Sequence, residues 1–335
     1  MAYIYKKKKG ESVYYYLRVS VRKGDLVRSR DVLYLGKDLN EKFLSDVEKK
    51  YGKEIKETLK VLEKELESKY FDRKARDLKV RSSDYFTKRE LELIEKIRLE
   101  YNHKLKNMNY NDLEDMKVEF VTAFAYNSSA IEGNTLPLRD VDLLLNERIS
   151  PKNKNMEEVY MIENTELAFR YLRENNPEIN EDLVIKLHDI LVDRIDVRLG
   201  YRKIPIRVVK SRFEASKPEH IKYDMKILFD WYEKNKNKLH PLALAVLFHH
   251  KFEVIHPFAD GNGRTGRMIM NYMLEKFGYA PFVIEVKRRG KYLEALNSCD
   301  KKARLDSSEP ELYAKLFEFM AREYEISYNL FFSKY

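Results

Sequence analysis

The sequence contains very little cysteine, since Cys299 is the single thiol in 335 residues. One thiol excludes an internal disulfide framework of the kind on which many small secreted proteins depend. We therefore expect the protein to work in the reducing environment of the cytoplasm. No activating partner stands beside Cys299 in the sequence, so it is predicted to be a small buried residue and not a nucleophile.

Long apolar runs are also missing. No stretch approaches the roughly 20 apolar residues that span a bilayer. At the N-terminus, Lys6 to Lys9 interrupt the position where a secretory signal would need an apolar core. Glycine and proline are few, at 11 and 9 residues, whereas 36% of the residues are charged. These features predict a soluble protein that does not contact membranes.

Positive charge is concentrated near the N-terminus. Residues 1–81 contain 23 lysines and arginines against 14 acidic residues, while the rest of the chain contains 41 of each. Two β-rich segments, Val13–Val21 and Leu26–Leu35, flank a turn signal at Gly24 and predict a basic β-hairpin module over residues 1–37. Its tyrosines could stack on bases while its cations contact phosphates, so DNA is one predicted partner. A solvated basic edge that only discourages strand pairing is the alternative.

Helical spacing begins after this module. Residues 38–86 are predicted to form an exposed helical arm or linker, divided into two helices at Gly52. Capping-box sequences at Thr87–Glu90 and Asn111–Glu114 predict the start of two further helices.

The most informative stretch lies between two helix-period apolar segments and runs from His256 to Arg267. Gly261 and Gly263 permit backbone conformations that a side chain forbids. The first N–H groups of the following helix lack intrahelical acceptors and form an anion site. Arg264 and Arg267 are three residues apart, so both project from one helix face toward that anion.

Two further groups complete this pattern. Asp260 stands just before the turn, where a carboxylate could hold a Mg²⁺ that bridges phosphate oxygens. The ordinary pKa of His256 is close to neutrality, which suits a general base. The stretch thus predicts a phosphate cradle with a metal ligand and a base. Residues 261–266 also spell G-x-G-x-x-G, but the buried strand that a dinucleotide fold requires would not tolerate Pro257 and its polar neighbours.

Residues 256–267 match H-P-F-x-D-G-N-G-R-x-x-R at every specified position, and this stretch resembles the signature of the Fic (Fido) family. The resemblance implies a domain that transfers AMP from ATP to a hydroxyl group of a target protein. It implies that His256 deprotonates the hydroxyl and that Asp260 holds Mg²⁺ on the nucleotide phosphates. The other residues of the implied site line the anion hole or hold the outer phosphates: Gly261, Asn262, Gly263, Arg264 and Arg267.

A second segment resembles the inhibitory motif of the same family, S/T-x-x-x-E-G/N, with Ser128 and Glu132 in the matching positions. Gly133 should end the helix that carries them. A carboxylate in the last turn is unfavourable against the helix dipole unless a cation compensates it. The resemblance implies that Glu132 pairs with Arg267 and hinders productive binding of ATP. The alternative is an ordinary surface glutamate at a frayed helix end.

The remaining features are predicted to support this site. Residues 202–215 alternate apolar and polar side chains, which predicts a hairpin that resembles the Fic flap over the active site. His188 and the His249-His250 pair lack the spacing of a zinc site and should pack internally. Helices over residues 285–300 and 309–328 should close the domain, with Tyr292 in the core or near the adenine.

Together these patterns predict a mainly α-helical Fic-type domain with a short β-hairpin flap over residues 87–330, preceded by the hairpin and the arm. The predicted function is Mg²⁺- and ATP-dependent adenylylation of a Ser, Thr or Tyr hydroxyl on a target protein or on the protein itself, restrained by Glu132. The resemblance also implies a homodimer. Removal of AMP, transfer of another nucleotide or phospho group, and a nucleic-acid-associated regulator that only senses nucleotide stay open as alternatives.

Overall fold

The computed structural model describes residues 2–37, 43–80, 84–206, 215–299, 305–306 and 308–335. The chain divides into two compact units, Met1–Leu78 and Lys79–Tyr335. This division differs from the predicted boundaries, because the hairpin module and the helical arm fall into one unit. Most of the predicted flap, residues 207–214, lies outside the described residues.

The first unit begins with a three-stranded antiparallel sheet in the order β1-β2-β3. Its strands are Ala2–Lys9 (β1), Ser12–Lys23 (β2) and Leu26–Gly36 (β3). The predicted two-stranded hairpin is incomplete, because β1 precedes it and pairs with β2 along its whole length. Lys6–Lys9 hid this strand from the sequence pattern, since exposed lysines are typical of an edge strand and not of a buried one.

One long helix, α1 (Phe43–Asp77), completes the first unit. Its Ile55 and Leu62 form a small apolar core with Leu17 and Val19 of β2, so the segment is not an exposed arm. The predicted break at Gly52 is wrong, because the helix continues through it. A glycine costs a helix about 1 kcal/mol relative to alanine. Burial of the two aliphatic side chains, at roughly 1.5–3 kcal/mol each, outweighs that cost.

The second unit contains ten α-helices among the described residues, which confirms the mainly α prediction. They are α2 (Lys88–Asn107), α3 (Tyr110–Ile131), α4 (Leu138–Asn146), α5 (Met156–Asn175), α6 (Glu181–Leu191), α7 (Ile221–Asn235), α8 (Pro241–Ile255), α9 (Asn262–Lys276), α10 (Arg289–Cys299) and α11 (Pro310–Phe331). In the part of the chain that the structure describes, no helix combines the length and the apolar character needed to cross a bilayer.

The two predicted capping boxes have different outcomes. Thr87 caps α2 and exchanges both capping-box hydrogen bonds with Glu90, as predicted. The box at Asn111 is wrong, because the helix begins two residues earlier and Asn109 accepts a hydrogen bond from the backbone N–H of Asp112. The earlier start adds residues to the helix without losing a side-chain cap.

Helix α8 lies at the centre of the second unit. Every residue from Pro241 to Phe252 is buried, and the helix packs between α7 and α9. A helix that is buried on all sides has little freedom to tilt or rotate. It therefore forms a fixed base for the loop that follows Ile255.

Candidate active site

The loop between α8 and α9 carries the residues of the predicted cradle. His256 caps α8 in the left-handed conformation, with φ of 52°. Gly261 precedes α9 with φ of 77°, and a Cβ atom there would lie 2.8 Å from Cγ1 of Val192. The predicted sequence of helix, tight loop and helix is confirmed. The left-handed conformation is costly for histidine, and such strain is concentrated at functional sites.

Asn262 closes this loop with its side chain. The N–H group of Phe258 donates to Oδ1 of Asn262 at 2.9 Å, and Nδ2 of Asn262 donates to the carbonyl oxygen of Phe258 at 2.9 Å. The side-chain amide is therefore used inside the protein. Any contribution of Asn262 to an anion site would come from its backbone N–H group in the first turn of α9.

His188 of α6 supports the loop from below. Its ring stacks on Phe258 with 3.7 Å between the centroids, and its Nε2 lies 3.2 Å from the carbonyl oxygen of Asp260. Burial lowers the pKa of His188, which favours the neutral ring. Nδ1 of the same ring lies 3.2 Å from Oδ1 of Asp189, so the two ring nitrogens face two acceptors and a neutral ring can donate to only one of them. The stacking on Phe258 supports the loop in either tautomer.

Arg202 also positions the loop, and the sequence pattern did not reveal it. Its side chain is buried and donates to three backbone carbonyl groups: His256 at 2.9 Å, Ile204 at 3.0 Å and Ser216. Ile204 and Ser216 flank residues 207–214. One guanidinium group thus joins both ends of this segment to the residue that carries the predicted base. In the sequence, Arg202 is one polar residue in an alternating run, so only the tertiary structure identifies this role.

We expect Arg202→Ala to lower the stability of the protein by about 3 kcal/mol, because it removes a buried side chain that bonds to three partly buried carbonyl groups. The melting temperature should fall by roughly 5–10 °C. Arg198→Ala is the matched control, since Arg198 is 57% exposed and pairs with Asp196 on the surface. A surface ion pair contributes at most about 1 kcal/mol. Equal melting temperatures of the two variants in differential scanning calorimetry would contradict the positioning role.

The imidazole of His256 is held in one orientation. Its Nδ1 lies 3.2 Å from the carbonyl oxygen of Glu253, so Nδ1–H donates and Nε2 keeps its lone pair. Burial lowers the pKa of His256, and the positive charge of Arg202 acts in the same direction, against the attraction of Glu132 and Asp260. The side chain remains 17% exposed. A neutral imidazole with an accessible Nε2 lone pair is a competent general base at neutral pH.

Arg264 and Asp260 bond to each other. Nη2 of Arg264 lies 3.1 Å from Oδ2 of Asp260, and Nη1 donates to the carbonyl oxygen of Leu191 at 2.9 Å. The guanidinium group is buried, which lowers its pKa, whereas the carboxylate is 52% exposed. Arg264 therefore orients Asp260 and still lies beside the anion site.

The exposed carboxylate of Asp260 fits a Mg²⁺ ion that is carried by a nucleotide. Mg²⁺ is commonly bound by one or two carboxylates together with water and substrate phosphates. Among the described residues, no group of three or more His, Cys, Asp or Glu side chains is placed to hold a metal ion without other ligands. The donor set thus suits an ion whose remaining ligands come from phosphate oxygens and water.

Arg267 and Glu132 come together, although 134 residues separate them in the sequence. Nη2 of Arg267 lies 2.8 Å from Oε1 of Glu132. The same guanidinium group donates to Oγ of Ser128 at 3.0 Å and to the carbonyl oxygen of Ser128 at 2.9 Å. Loss of hydration around the partly exposed carboxylate would by itself raise the pKa of Glu132, but the charge and hydrogen bond of Arg267 hold that pKa below its ordinary value. Glu132 is therefore ionised at neutral pH.

Gly263 shows how close this carboxylate lies to the start of α9. A Cβ atom on Gly263 would lie 2.1 Å from Oε1 of Glu132 and 2.9 Å from Nη1 of Arg267. The absence of a side chain at Gly263 allows the carboxylate to approach the backbone of the first helical turn. Glu132 thus lies against the surface that an anion bound to this turn would use.

The other predicted residues lie in the core. His249 and Tyr292 are buried, with 2.6 Å between Nε2 of the imidazole and the phenol oxygen. Tyr292 therefore lies in the core, which is one of the two positions predicted for it. His250 packs edge-on against Tyr313, and Cys299 is buried as expected.

A protein-family model matches the part of the chain that contains His256 and the phosphate cradle. Residues 178–274 match the Fic/DOC family. This part of the chain is thus similar to Fic domains. The matched range begins just before α6 and ends inside α9, so it includes His256 and the phosphate cradle. Glu132 and Ser128 precede it, and their bonds to Arg267 connect the end of helix α3 to the matched range.

The chain is also similar to curated proteins. The protein adenylyltransferase fic-1 of Caenorhabditis elegans is 27% identical over 213 residues, which are 62% of this chain and 41% of that protein. The protein adenylyltransferase Fic of Nematostella vectensis is 31% identical over 180 residues, 52% of this chain and 42% of that protein. The chain thus spans less than half the length of these relatives.

Solved structures show the same fold. A Fic domain containing signaling protein from Bacteroides thetaiotaomicron matches with a TM-score of 0.64 and 26% identity, covering 71% of this chain and 95% of that one. Fic-1 from C. elegans matches with a TM-score of 0.63 and 24% identity, covering 73% of this chain and 72% of that one. The helical arrangement that presents His256 is therefore the Fic arrangement.

Proposed function

We propose that the protein transfers AMP from ATP to a Ser, Thr or Tyr hydroxyl group of a target protein, which includes the protein itself. The observation that carries this proposal is that three groups lie in the loop before α9 or in its first turns: a base whose pKa is lowered (His256), an exposed carboxylate (Asp260) and a buried arginine (Arg267). The names of the curated relatives support the same reaction. The single cysteine supports a cytoplasmic location.

In the proposed reaction, Nε2 of His256 takes the proton of the target hydroxyl group as its oxygen attacks the α-phosphorus of ATP. The bond between the α-phosphorus and the bridging oxygen breaks, and pyrophosphate leaves with that oxygen. The backbone N–H groups at the start of α9 and the guanidinium group of Arg267 stabilise the negative charge of the phosphates. Asp260 would hold Mg²⁺, which neutralises phosphate charge when it is bound.

We also propose that Glu132 restrains this activity. Its carboxylate accepts a hydrogen bond from Nη2 of Arg267 and lies against the first turn of α9. A phosphate group of ATP would have to compete with an ion pair that is already formed. ATP then binds in a position that is unsuited to transfer, or binds more weakly.

A panel of nucleotides tests the reaction. The Glu132→Gly variant is incubated with Mg²⁺ and with ATP, GTP, CTP or UTP, each labelled once on the α-phosphate and once on the γ-phosphate, and the protein is analysed by mass spectrometry. AMP transfer predicts an adduct with the α-label from ATP and none with the γ-label. A γ-labelled adduct would indicate a phosphotransferase, and nucleotide binding without any adduct would indicate a sensor. Loss of AMP from a pre-adenylylated target would indicate the reverse activity.

The pH dependence of transfer follows from the pKa of His256. Because this pKa lies below its ordinary value of 6.5, the base stays neutral at more acidic pH than a free histidine does. We expect the initial rate of the Glu132→Gly variant to be retained from about pH 8 to 6.5 and to fall only at lower pH. Because the pKa of Glu132 is also lowered, its pairing with Arg267 persists over this range, and the wild type should stay restrained. A loss of rate centred above pH 6.5 would contradict this assignment.

A further inference from the structure

We propose that the outer face of the N-terminal sheet binds single-stranded nucleic acid. This inference rests on the first unit alone and is independent of AMP transfer. The inner face of the sheet carries Leu17 and Val19, which are fully buried in the core with α1. The outer face carries side chains that this core does not use.

The register of the strands places a row of tyrosines across that outer face. Residues that are directly opposite in an antiparallel sheet point to the same side. Tyr16 of β2 pairs with Tyr5 of β1 and with Tyr34 of β3, so one tyrosine from each strand lies in the row. Tyr14 follows on the same face of β2. We call these four residues the tyrosine row.

Three rings of the tyrosine row, those of Tyr14, Tyr16 and Tyr34, form one continuous surface. The ring centroids of Tyr16 and Tyr34 are 5.2 Å apart, and those of Tyr14 and Tyr34 are 6.2 Å apart. Tyr34 is 50% exposed. Aromatic rings on an open sheet face can stack against bases, because each nucleobase has a π-face and each stacked base contributes binding energy.

Cations border the tyrosine row. Residues 1–37 contain 10 lysines and arginines against 3 acidic residues. Lys7 pairs with Tyr14 in the register and is exposed, and Lys37 lies 5.3 Å from the ring of Tyr14. Arg18 stacks on Tyr5 at 3.3 Å and pairs with Asp31, which neutralises the acidic residue of this face. Aromatic rings flanked by cations are complementary to a single-stranded nucleic acid, because the rings can stack on unpaired bases while the cations contact the phosphates.

The arrangement favours single strands over a duplex. Bases in a duplex are stacked on each other, so their faces are not available to a row of rings. A duplex could be held only through its phosphates, and the affinity would then depend on the cations and not on the tyrosines. The involvement of the rings therefore distinguishes the proposal from simple attraction to a basic surface.

Fluorescence anisotropy of the full-length protein tests the proposal. The probes are labelled DNA and RNA single strands of about 15 nucleotides with mixed sequence, and the corresponding DNA duplex. We expect both single strands, or one of them, to bind at least about tenfold tighter than the duplex, and the combined Tyr16→Ala and Tyr34→Ala substitutions to weaken this binding at least about tenfold. The combined Tyr16→Phe and Tyr34→Phe substitutions keep the rings and should bind like the wild type.

Tyr110→Ala is the matched control, since Tyr110 is 75% exposed in the second unit and should not affect binding. If the alanine variant melts at a lower temperature than the wild type, its affinity is not used as the test. Wild-type protein is then photocrosslinked to single strands that contain 4-thiouridine or bromodeoxyuridine. Crosslinks must then map to peptides that contain the tyrosine row. The proposal is overturned if neither single strand binds at low salt, or if the duplex binds as tightly as the single strands. It is also overturned if the alanine variant keeps both its affinity and its melting temperature, or if the crosslinks map only to other peptides.

Discussion

Replacing Glu132 by glycine should raise the rate of self-adenylylation by about tenfold or more. The substitution removes the carboxylate that lies 2.8 Å from Nη2 of Arg267 and frees that guanidinium group for a phosphate. A hydrogen bond to a charged group contributes about 1.5–3 kcal/mol, and 1.4 kcal/mol corresponds to a factor of ten. Because Glu132 is 38% exposed, solvent screening places its contribution at the lower end of that range.

The measurement is the initial rate of incorporation of α-labelled ATP in the presence of Mg²⁺, together with the dissociation constant of ATP by calorimetry. Glu147→Gly is the matched control, because Glu147 also caps a helix with αR geometry but lies on the surface at the end of α4. Its labelling rate should equal that of the wild type. Equal rates for Glu132→Gly and the wild type would show that the ion pair does not restrain the proposed transfer.

The Glu132→Gln variant tests the effect of the negative charge separately from the effect of the side chain's shape. Glutamine keeps the length of the side chain and can accept a hydrogen bond from Arg267, but it lacks the negative charge. We expect a rate between those of the wild type and Glu132→Gly, because the neutral amide competes less well with a phosphate. The ordering of the three rates is a sharper test than any single rate.

Replacing His256 should abolish most of the activity that Glu132→Gly releases. General base catalysis typically contributes a factor of about 10²–10⁴, which corresponds to roughly 2.7–5.5 kcal/mol of barrier. Asparagine is the better substitution, because His256 has φ of 52° and asparagine tolerates this conformation better than alanine does. In the Glu132→Gly background, His256→Asn should label at least about 100-fold more slowly.

A separate readout distinguishes loss of the base from loss of the site. The His256→Asn variant should bind ATP as tightly as its parent, because the imidazole accepts a proton and is not expected to hold the nucleotide. His220→Ala is the control, since His220 is exposed at the start of α7 and should leave the rate unchanged. Unchanged labelling by His256→Asn would refute the assignment of the base. Loss of ATP binding together with labelling would point to a structural role of the residue instead.

Much of the fold was predictable from local patterns. The helix–loop–helix around residues 256–261, the cap of α2 at Thr87 and the two closing helices depend on interactions between residues close in sequence, which local patterns record. The errors arose where distant contacts outweigh local preference. Gly52 sits inside a continuous α1 because that helix packs on the sheet, and β1 forms because β2 offers it a partner.

The sequence by itself determined which groups the candidate site contains, because a histidine, a carboxylate, two glycines and two arginines lie within twelve residues. Only the tertiary structure decided which atoms these groups meet. It directs Arg264 to the carbonyl oxygen of Leu191, places His188 against the carbonyl oxygen of Asp260, and adds Arg202, for which no local pattern exists. The physical reason is that hydrogen bonds between segments far apart in sequence depend on how the helices pack, and packing is a property of the whole chain.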